Sequence, residues 1–258
     1  MTGTLPDCTE VLAGLKLIPA TELSTFVVGS TARGWAHATS DVDVVVISDE
    51  PFVDDRAVTL ELPLDPGSLP TVSFHHDGRR WEVKYWLDRQ VDQLLGKVTW
   101  ERLDEARTGD RLTEVELLFL SRLRTCATVT GREWVRRQRE RLDGSAFRSV
   151  LIMQALTKSD DAAEVAIGQL AAGETECAVL SARLAFGFAV DALLAGHGEY
   201  EMNVKWRARR LRTVAPALLS FEDYWAVETM RDYRPEQPGR WVEQVVGFCK
   251  TVSLEVEM

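Results

Sequence analysis

Two aspartates set the chemistry this chain is equipped for. Asp41 and Asp43 are separated by one residue and lead straight into the apolar run Val44 to Ile47. On an extended strand, residues two apart leave from the same face, and their α-carbons lie about 6.5 Å apart at a rise of about 3.3 Å per residue. Aspartate is disfavoured in strands and rarely buried without a partner, so a pair at the start of one needs a use. Carboxylates at this spacing can share one or two hard cations, because Mg2+ prefers a few carboxylates together with phosphate and water oxygens. Two such ions about 3.5–4 Å apart clamp an in-line displacement at phosphorus. Upstream, Gly29-Ser30 ends the apolar run Phe26 to Val28. A turn there offers backbone N–H groups and a hydroxyl to phosphate oxygens, and glycine lets the backbone come close. Arg33 in the same turn adds a charge-assisted contact. A third acid, Glu82, sits inside the apolar run Arg80 to Trp86, where an uncompensated carboxylate is costly. Its same-face neighbour Lys84 is the structural alternative, an ion-pair partner.

The elements that must position these groups follow from periodicity. Thr25 to Ser48 reads as two strands joined by a small helical turn. Residues 9–19 predict a short helix ending before Pro19, and Asp49 to Pro70 a long surface excursion with one strand-like run, Ala57 to Leu62. Two alternating runs around Asp77-Gly78 predict a hairpin, Thr71 to Phe74 and Arg80 to Trp86. In the second run Trp81, Val83 and Tyr85 face one way, and Glu82, Lys84 and Trp86 the other. After Leu87 the pattern is helical throughout. Helices are expected near 88–107, 113–126, 131–142, 145–157, 161–172, 175–196, 203–213, 221–232 and 239–254, with no further strand. The broadest apolar face belongs to 175–196. Strands first and helices afterwards predict an α+β chain. Its N-terminal catalytic domain, residues 1–109, would hold a small mixed sheet, and residues 110–258 an all-helical bundle, with the seam at Thr108-Gly109-Asp110.

Composition narrows the function classes. The 258 residues are 45% apolar and 27% charged, with a net charge of −10. That balance argues against nucleic acid as the main partner, since phosphate neutralisation dominates such binding. It suits a cationic small molecule. No stretch reads as a bilayer span, and the opening MTGTLPDCTE has no basic-then-apolar signal pattern. Cys8, Cys126, Cys177 and Cys249 form no CxxC pair and read as reduced thiols. These features predict a cytoplasmic protein with no membrane partner. Oligomeric state is left open.

Gly29-Ser30-x-Ala32-Arg33-Gly34, followed by Ser40-Asp41-x-Asp43 before apolar residues and by Glu82 in Trp-Glu-Val, resembles the polymerase-β-type nucleotidyltransferase superfamily. The resemblance covers about a quarter of the chain. It implies transfer of a nucleoside monophosphate from a triphosphate, AMP from ATP, with pyrophosphate leaving. Asp41, Asp43 and Glu82 would be the catalytic and metal-binding residues for Mg2+, as two ions. Glu82 would bind the second ion or act as general base. Gly29, Ser30 and Arg33 would bind the nucleotide. The helical remainder resembles the bundles of small-molecule nucleotidyltransferases, of the aminoglycoside and lincosamide type, and more loosely the HEPN helical domains. The Arg-x4-6-His motif of HEPN ribonucleases is missing before His197. By the same likeness Lys205 would reach the triphosphate from the bundle, the alternative being a solvated basic helix end. Asp191 would meet a cationic acceptor, or pair with Arg183 or the cluster at Lys205.

Other groups take blander readings. Arg132, Arg136, Arg137, Arg139 and Arg141 alternate with Glu133 and Glu140, as on a solvated helix. His75 and His76 sit at a turn with too few neighbours for a zinc site. The expected enzyme is an Mg2+-dependent nucleotidyltransferase acting on a hydroxyl of a small molecule, at a cleft between sheet and bundle. Its rivals are a protein-AMPylating antitoxin-type transferase, an RNA-modifying member and a non-catalytic nucleotide-binding module.

Overall fold

The computed structural model describes residues 7–104, 112–201 and 203–257. The chain divides into two compact units, Met1–Ser145 and Ala146–Met258. The expected seam at Thr108-Gly109-Asp110 lies outside the described residues. The division falls after Ser145 because the chain from 112 to 145 returns to the sheet.

The first unit runs α1 (Cys8–Gly14), β1 (Glu22–Val28), α2 (Gly29–Ala32), β2 (Val42–Ser48), β3 (Val58–Glu61), β4 (Ser68–His76), β5 (Arg79–Leu87), α3 (Asp88–Gly96), α4 (Trp100–Asp104), α5 (Glu114–Thr125), β6 (Ala127–Thr130) and α6 (Arg132–Asp143). The strands form one mixed sheet in the order β3-β4-β5-β2-β1-β6. β2 and β5 pair in parallel and the other neighbours antiparallel. The β4–β5 hairpin closes through Asp77 (φ 49°) and Gly78 (φ 71°), the left-handed pair that a two-residue turn requires.

β6 corrects the expectation of no strand after Leu87. Its four residues, Ala-Thr-Val-Thr, are too short to show a period of two between strong helices. What holds it is tertiary: the Thr25 amide donates to Thr130 Oγ1 (2.9 Å), and Ser24 Oγ donates to the Thr130 carbonyl (2.9 Å). Gly131 then turns the chain with φ 67°, where an added Cβ would lie 2.2 Å from the Leu23 carbonyl oxygen.

One sheet face, carrying Val27, Val42, Val44, Val46, Trp81, Val83 and Tyr85, packs with Leu12 and Leu17 in a buried cluster. α1 is shorter than the expected 9–19 because Lys16 takes a left-handed φ of 56°. The other face meets α5 and α6: Phe119 packs 4.5 Å from Trp86 between ring centroids, and Trp134 lies 6.2 Å from Phe26. α5 starts at a capping box of Thr113 and Glu116. The buried Glu116 carboxylate also receives Lys97 at 2.7 Å, tying α5 to the end of α3. The single helix expected at 88–107 is two, α3 and α4; residues 105–107 lie outside the described residues.

The second unit holds α7 (Phe147–Ala171), α8 (Thr175–Gly196), a 3-10 turn (Val204–Trp206), α9 (Arg207–Val214), α10 (Phe221–Glu228) and α11 (Pro238–Glu255). α7 replaces the two helices expected at 145–157 and 161–172. The polar stretch Lys158 to Asp161 reads as a break, yet Ser159 Oγ donates 3.0 Å to the Ala185 carbonyl and is satisfied inside the bundle. α8 is long and apolar enough to cross a bilayer by length and composition, which the sequence reading missed; 61% of its most apolar window is buried inside the protein. Its alanines 178, 182, 185 and 189 are fully buried in a cluster with Val242, Val245 and Val246 of α11, the pattern of a core helix.

Candidate active site

β2 and β5 run side by side in parallel, and their register sets Asp43 directly beside Glu82. Asp41 lies just outside the strand, with its side chain 49% exposed, against 26% for Asp43 and 24% for Glu82. The sequence-predicted acids therefore share one end of one sheet face. Asp43 can stand in a strand otherwise buried throughout because this end is the open one.

Each acid has a cation, and most of these cations escaped the sequence reading. β5 alternates, so Arg80 and Lys84 leave from the same face as Glu82. Lys84 Nζ donates to Glu82 Oε1, and Arg80 Nη2 lies 3.3 Å from Glu82 Oε2. Arg80 Nη1 also reaches Asp41 Oδ2 at 3.8 Å, so one guanidinium bridges two carboxylates. Arg122 comes from α5, one turn beyond Phe119, and sets Nη2 3.6 Å from Asp43 Oδ2. The Lys84 pairing was open to a period-two reading, and Arg80 follows from the same alternation. Arg122 had no sequence signal, because only the packing of Phe119 on Trp86 aims it.

Arg79 holds the loop before β2. Its Nε donates to the Ser40 carbonyl (2.9 Å) and its Nη2 to Thr31 Oγ1 (3.1 Å) and, at 3.4 Å, to the Asp41 carbonyl. Thr31 Oγ1 in turn donates to the Asp41 carbonyl at 3.2 Å. The two aspartates are thus fixed from β5 and α2 at once.

Gly29 opens α2 with φ 66°, and a Cβ there would lie 2.9 Å from Asp43 Oδ2 and 3.6 Å from Arg122 Nη2. Glycine is required twice over, by its backbone conformation and by the carboxylate beside it. The Ser30 carbonyl accepts from Trp35 N (2.8 Å) and Ala36 N (3.1 Å), which closes the turn. The Arg33 guanidinium lies 3.7 Å from the Trp35 ring centroid.

Burial, opposed first by Arg122 and then by Lys84, pushes the Asp43 carboxyl above its ordinary value. Burial acts on Glu82 in the same sense, but the Lys84 hydrogen bond and the charges of Lys84, Arg80 and Arg122 outweigh it and hold Glu82 below its ordinary value. Neighbours in register are thereby shifted in opposite directions.

Lys205 and Asp191 belong to the second unit. Lys205 is exposed, its ammonium 5.6 Å from the Trp206 ring centroid. Asp191 binds two guanidiniums: Arg207 Nε (3.1 Å) and Nη2 (2.7 Å), and Arg210 Nη2 (2.7 Å). This is the ion-pair alternative, and it engages both carboxylate oxygens, where the acceptor reading needs them open.

The donor set suits a hard divalent cation. Asp41 and Asp43 supply carboxylate oxygens from one strand end, and the bare α-carbon of Gly29 leaves room at Asp43 Oδ2. One or two carboxylates completed by phosphate and water oxygens are what Mg2+ takes. Those two residues fit one such ion. Glu82 stands beside them with both its oxygens meeting cations. Among the described residues, no three His, Cys, Asp or Glu side chains gather into a group that could hold a metal.

Residues 14–113 match the family described as the nucleotidyltransferase domain, which supports classing the chain as a nucleotidyltransferase-type enzyme. The match covers β1 to β5 and stops short of α5, so Arg122 lies outside it. Among solved structures, a nucleotidyltransferase-like protein from Exiguobacterium sibiricum shares the fold with a TM-score of 0.51 at 11% identity, over 97% of this chain and 74% of that one. A comparison with curated proteins finds no match.

Proposed function

We propose that this chain, through the nucleotidyltransferase domain at residues 14–113, transfers a nucleoside monophosphate, AMP from ATP, to a hydroxyl of a small-molecule acceptor. The observation that carries the reading is the register that sets Asp43 beside Glu82, with Asp41 two residues before Asp43. The acceptor oxygen forms a bond to the α-phosphorus, the bond from that phosphorus to the bridging oxygen breaks, and pyrophosphate leaves with the electron pair. Asp41 and Asp43 would hold Mg2+, which when bound neutralises phosphate charge and orients the triphosphate. Ser30 and the backbone at Gly29 would hold the β- and γ-phosphates, and Arg122 supplies positive charge beside Asp43. Glu82 offers no free oxygen to the acceptor's proton, because Lys84 occupies Oε1 and Arg80 Nη2 lies 3.3 Å from Oε2. We assign it instead to fixing Lys84 and Arg80, and the acceptor proton passes to water. The protein's contribution is positioning and electrostatic stabilisation, which phosphoryl chemistry chiefly demands. The acidic balance of the chain suits a cationic acceptor.

Pyrophosphate release from ATP and Mg2+, compared between the native chain and Asp43→Ala, tests the reaction class. Release that depends on both Mg2+ and Asp43 is expected; absence of metal-dependent nucleotide binding would remove the proposal. A mass-spectrometric screen for AMP adducts across aminoglycosides, lincosamides, protein and RNA then identifies the acceptor class.

A further inference from the structure

Glu82 stands where a third metal ligand is expected, yet its two oxygens are engaged from opposite sides. Lys84 Nζ occupies Oε1, and Arg80 Nη2 lies 3.3 Å from Oε2 while its Nη1 reaches 3.8 Å to Asp41. A second divalent ion would supply positive charge at these carboxylates, and here the chain's own cations supply it. Resting on the nucleotidyltransferase reading above, we infer that this site works with a single divalent ion on Asp41 and Asp43, and that the Lys84 ammonium, held on Glu82, fills the place of the second.

Charge and geometry support this together. Three carboxylates face Arg80, Lys84 and Arg122, so the cluster is already neutral by formal charge. A second divalent ion beside Glu82 would meet an ammonium and a guanidinium already placed against that carboxylate, and like charges at such range repel. Lys84 is also not a mobile surface group. It is centred in β5, its backbone paired on one side with Val45 and on the other with Thr71, and its side chain is largely buried. Displacing its ammonium would strand a half-buried charge. Asp43 differs: its cation, Arg122, sits 3.6 Å away, beyond hydrogen-bond range, and can yield to an ion.

Native mass spectrometry of the full chain with Mn2+ and α,β-methylene ATP counts the ions directly. One Mn2+ in the nucleotide complex is expected for the native chain, rising to two in Lys84→Met. Two ions in the native chain would overturn the inference and leave the nucleotidyltransferase reading standing, whereas a native chain that takes neither ion nor nucleotide overturns that reading and this inference with it. A single ion in folded Lys84→Met also overturns it. Should that variant fail to fold, Glu82→Gln decides: Mn2+ affinity within about threefold of native is expected, because losing even a supporting partner of a true ligand costs about 10–100-fold. A loss in that larger range would make Glu82 a ligand and refute the assignment.

Discussion

The protein contains two clusters of the same residue types, one at the open end of β2 and β5 and one inside the helical unit. In the helical cluster, Asp191 and Glu228 meet Arg183, Arg207 and Arg210, and the side chains of Arg207 and Arg210 are only 8% and 1% exposed. Its central contacts, at 2.7 Å, are ideal charge-assisted hydrogen bonds. Arg207 also lies over Gly187, where a Cβ would come within 2.9 Å of Nη1. In the sheet cluster the arginines are more exposed, Arg80 at 49% and Arg122 at 20%, and, apart from Lys84 with Glu82, the ion pairs are loose, at 3.3 to 3.8 Å. Closure separates the two. A buried cluster with both Asp191 oxygens closely engaged resists exchange of partners and fixes structure, whereas a loosely paired, more accessible one can trade a guanidinium for a ligand.

The largest effect that would break this comparison is in the helical cluster. Asp191→Ala leaves two guanidiniums facing each other in the bundle, and uncompensated buried charge of that kind costs about 3–5 kcal/mol. Denaturant unfolding should register this loss. A stable Asp191→Ala chain that had lost only acceptor affinity would return Asp191 to a binding role. Next is Asp43→Asn, expected to lower turnover by about 10²–10³, or about 2.7–4 kcal/mol of transition-state stabilisation, by analogy with loss of one preorganised electrostatic group. The same substitution should not reduce stability, because burial already disfavours the charged form of Asp43. A matched loss of stability and turnover would make the sheet cluster structural too.

A pair of glycines sharpens the contrast further. Gly187→Ala presses on a guanidinium pinned by Asp191, a case of overpacking that costs about 1–3 kcal/mol of stability. Gly29→Ala forces a left-handed backbone on an alanine, at about 1–3 kcal/mol, and pushes on Asp43 Oδ2. Expected for Gly29→Ala is loss of metal-dependent nucleotide binding out of proportion to the stability change; for Gly187→Ala, a stability loss with binding per folded molecule unchanged. Calorimetric titration alongside unfolding distinguishes them.

How much of this was legible beforehand depends on the range of the interaction. Asp41, Asp43, Gly29 and Glu82 announce themselves locally, through a spacing of two, a break in an apolar run and a carboxylate where one is costly. The hairpin at Asp77-Gly78 is equally local, since the turn dictates its residues. Arg122 is invisible, because it reaches Asp43 only after Phe119 packs on Trp86. β6 is invisible for the same reason, as its hydrogen bonds come from residues 24 and 25, about a hundred positions away. Asp191 was legible as an anomaly in an apolar helix, but its partners Arg207 and Arg210 on α9 were not singled out.

The smallest expected effect tests the sheet cluster from within. Asp43 and Glu82 are neighbours in register whose carboxyl groups are shifted oppositely. For Asp43 the folded value lies above its ordinary 3.8, so its contribution to stability is present below 3.8 and is lost as pH rises through the folded value. For Glu82 the folded value lies below its ordinary 4.5, so its contribution is present above 4.5 and is lost as pH falls through the folded value. Unfolding free energies in chelator from about pH 3 to about pH 7 should therefore diverge: Asp43→Asn gains on the native chain as pH rises, while Glu82→Gln falls behind it. Both slopes come from one arrangement, with Lys84 and Arg80 closing on Glu82 and only the looser Arg122 serving Asp43. Slopes of the same sign would mean that the cations are shared evenly, and with that the separate assignments of Asp43 to an exchangeable ion and of Glu82 to a fixed ammonium would fail.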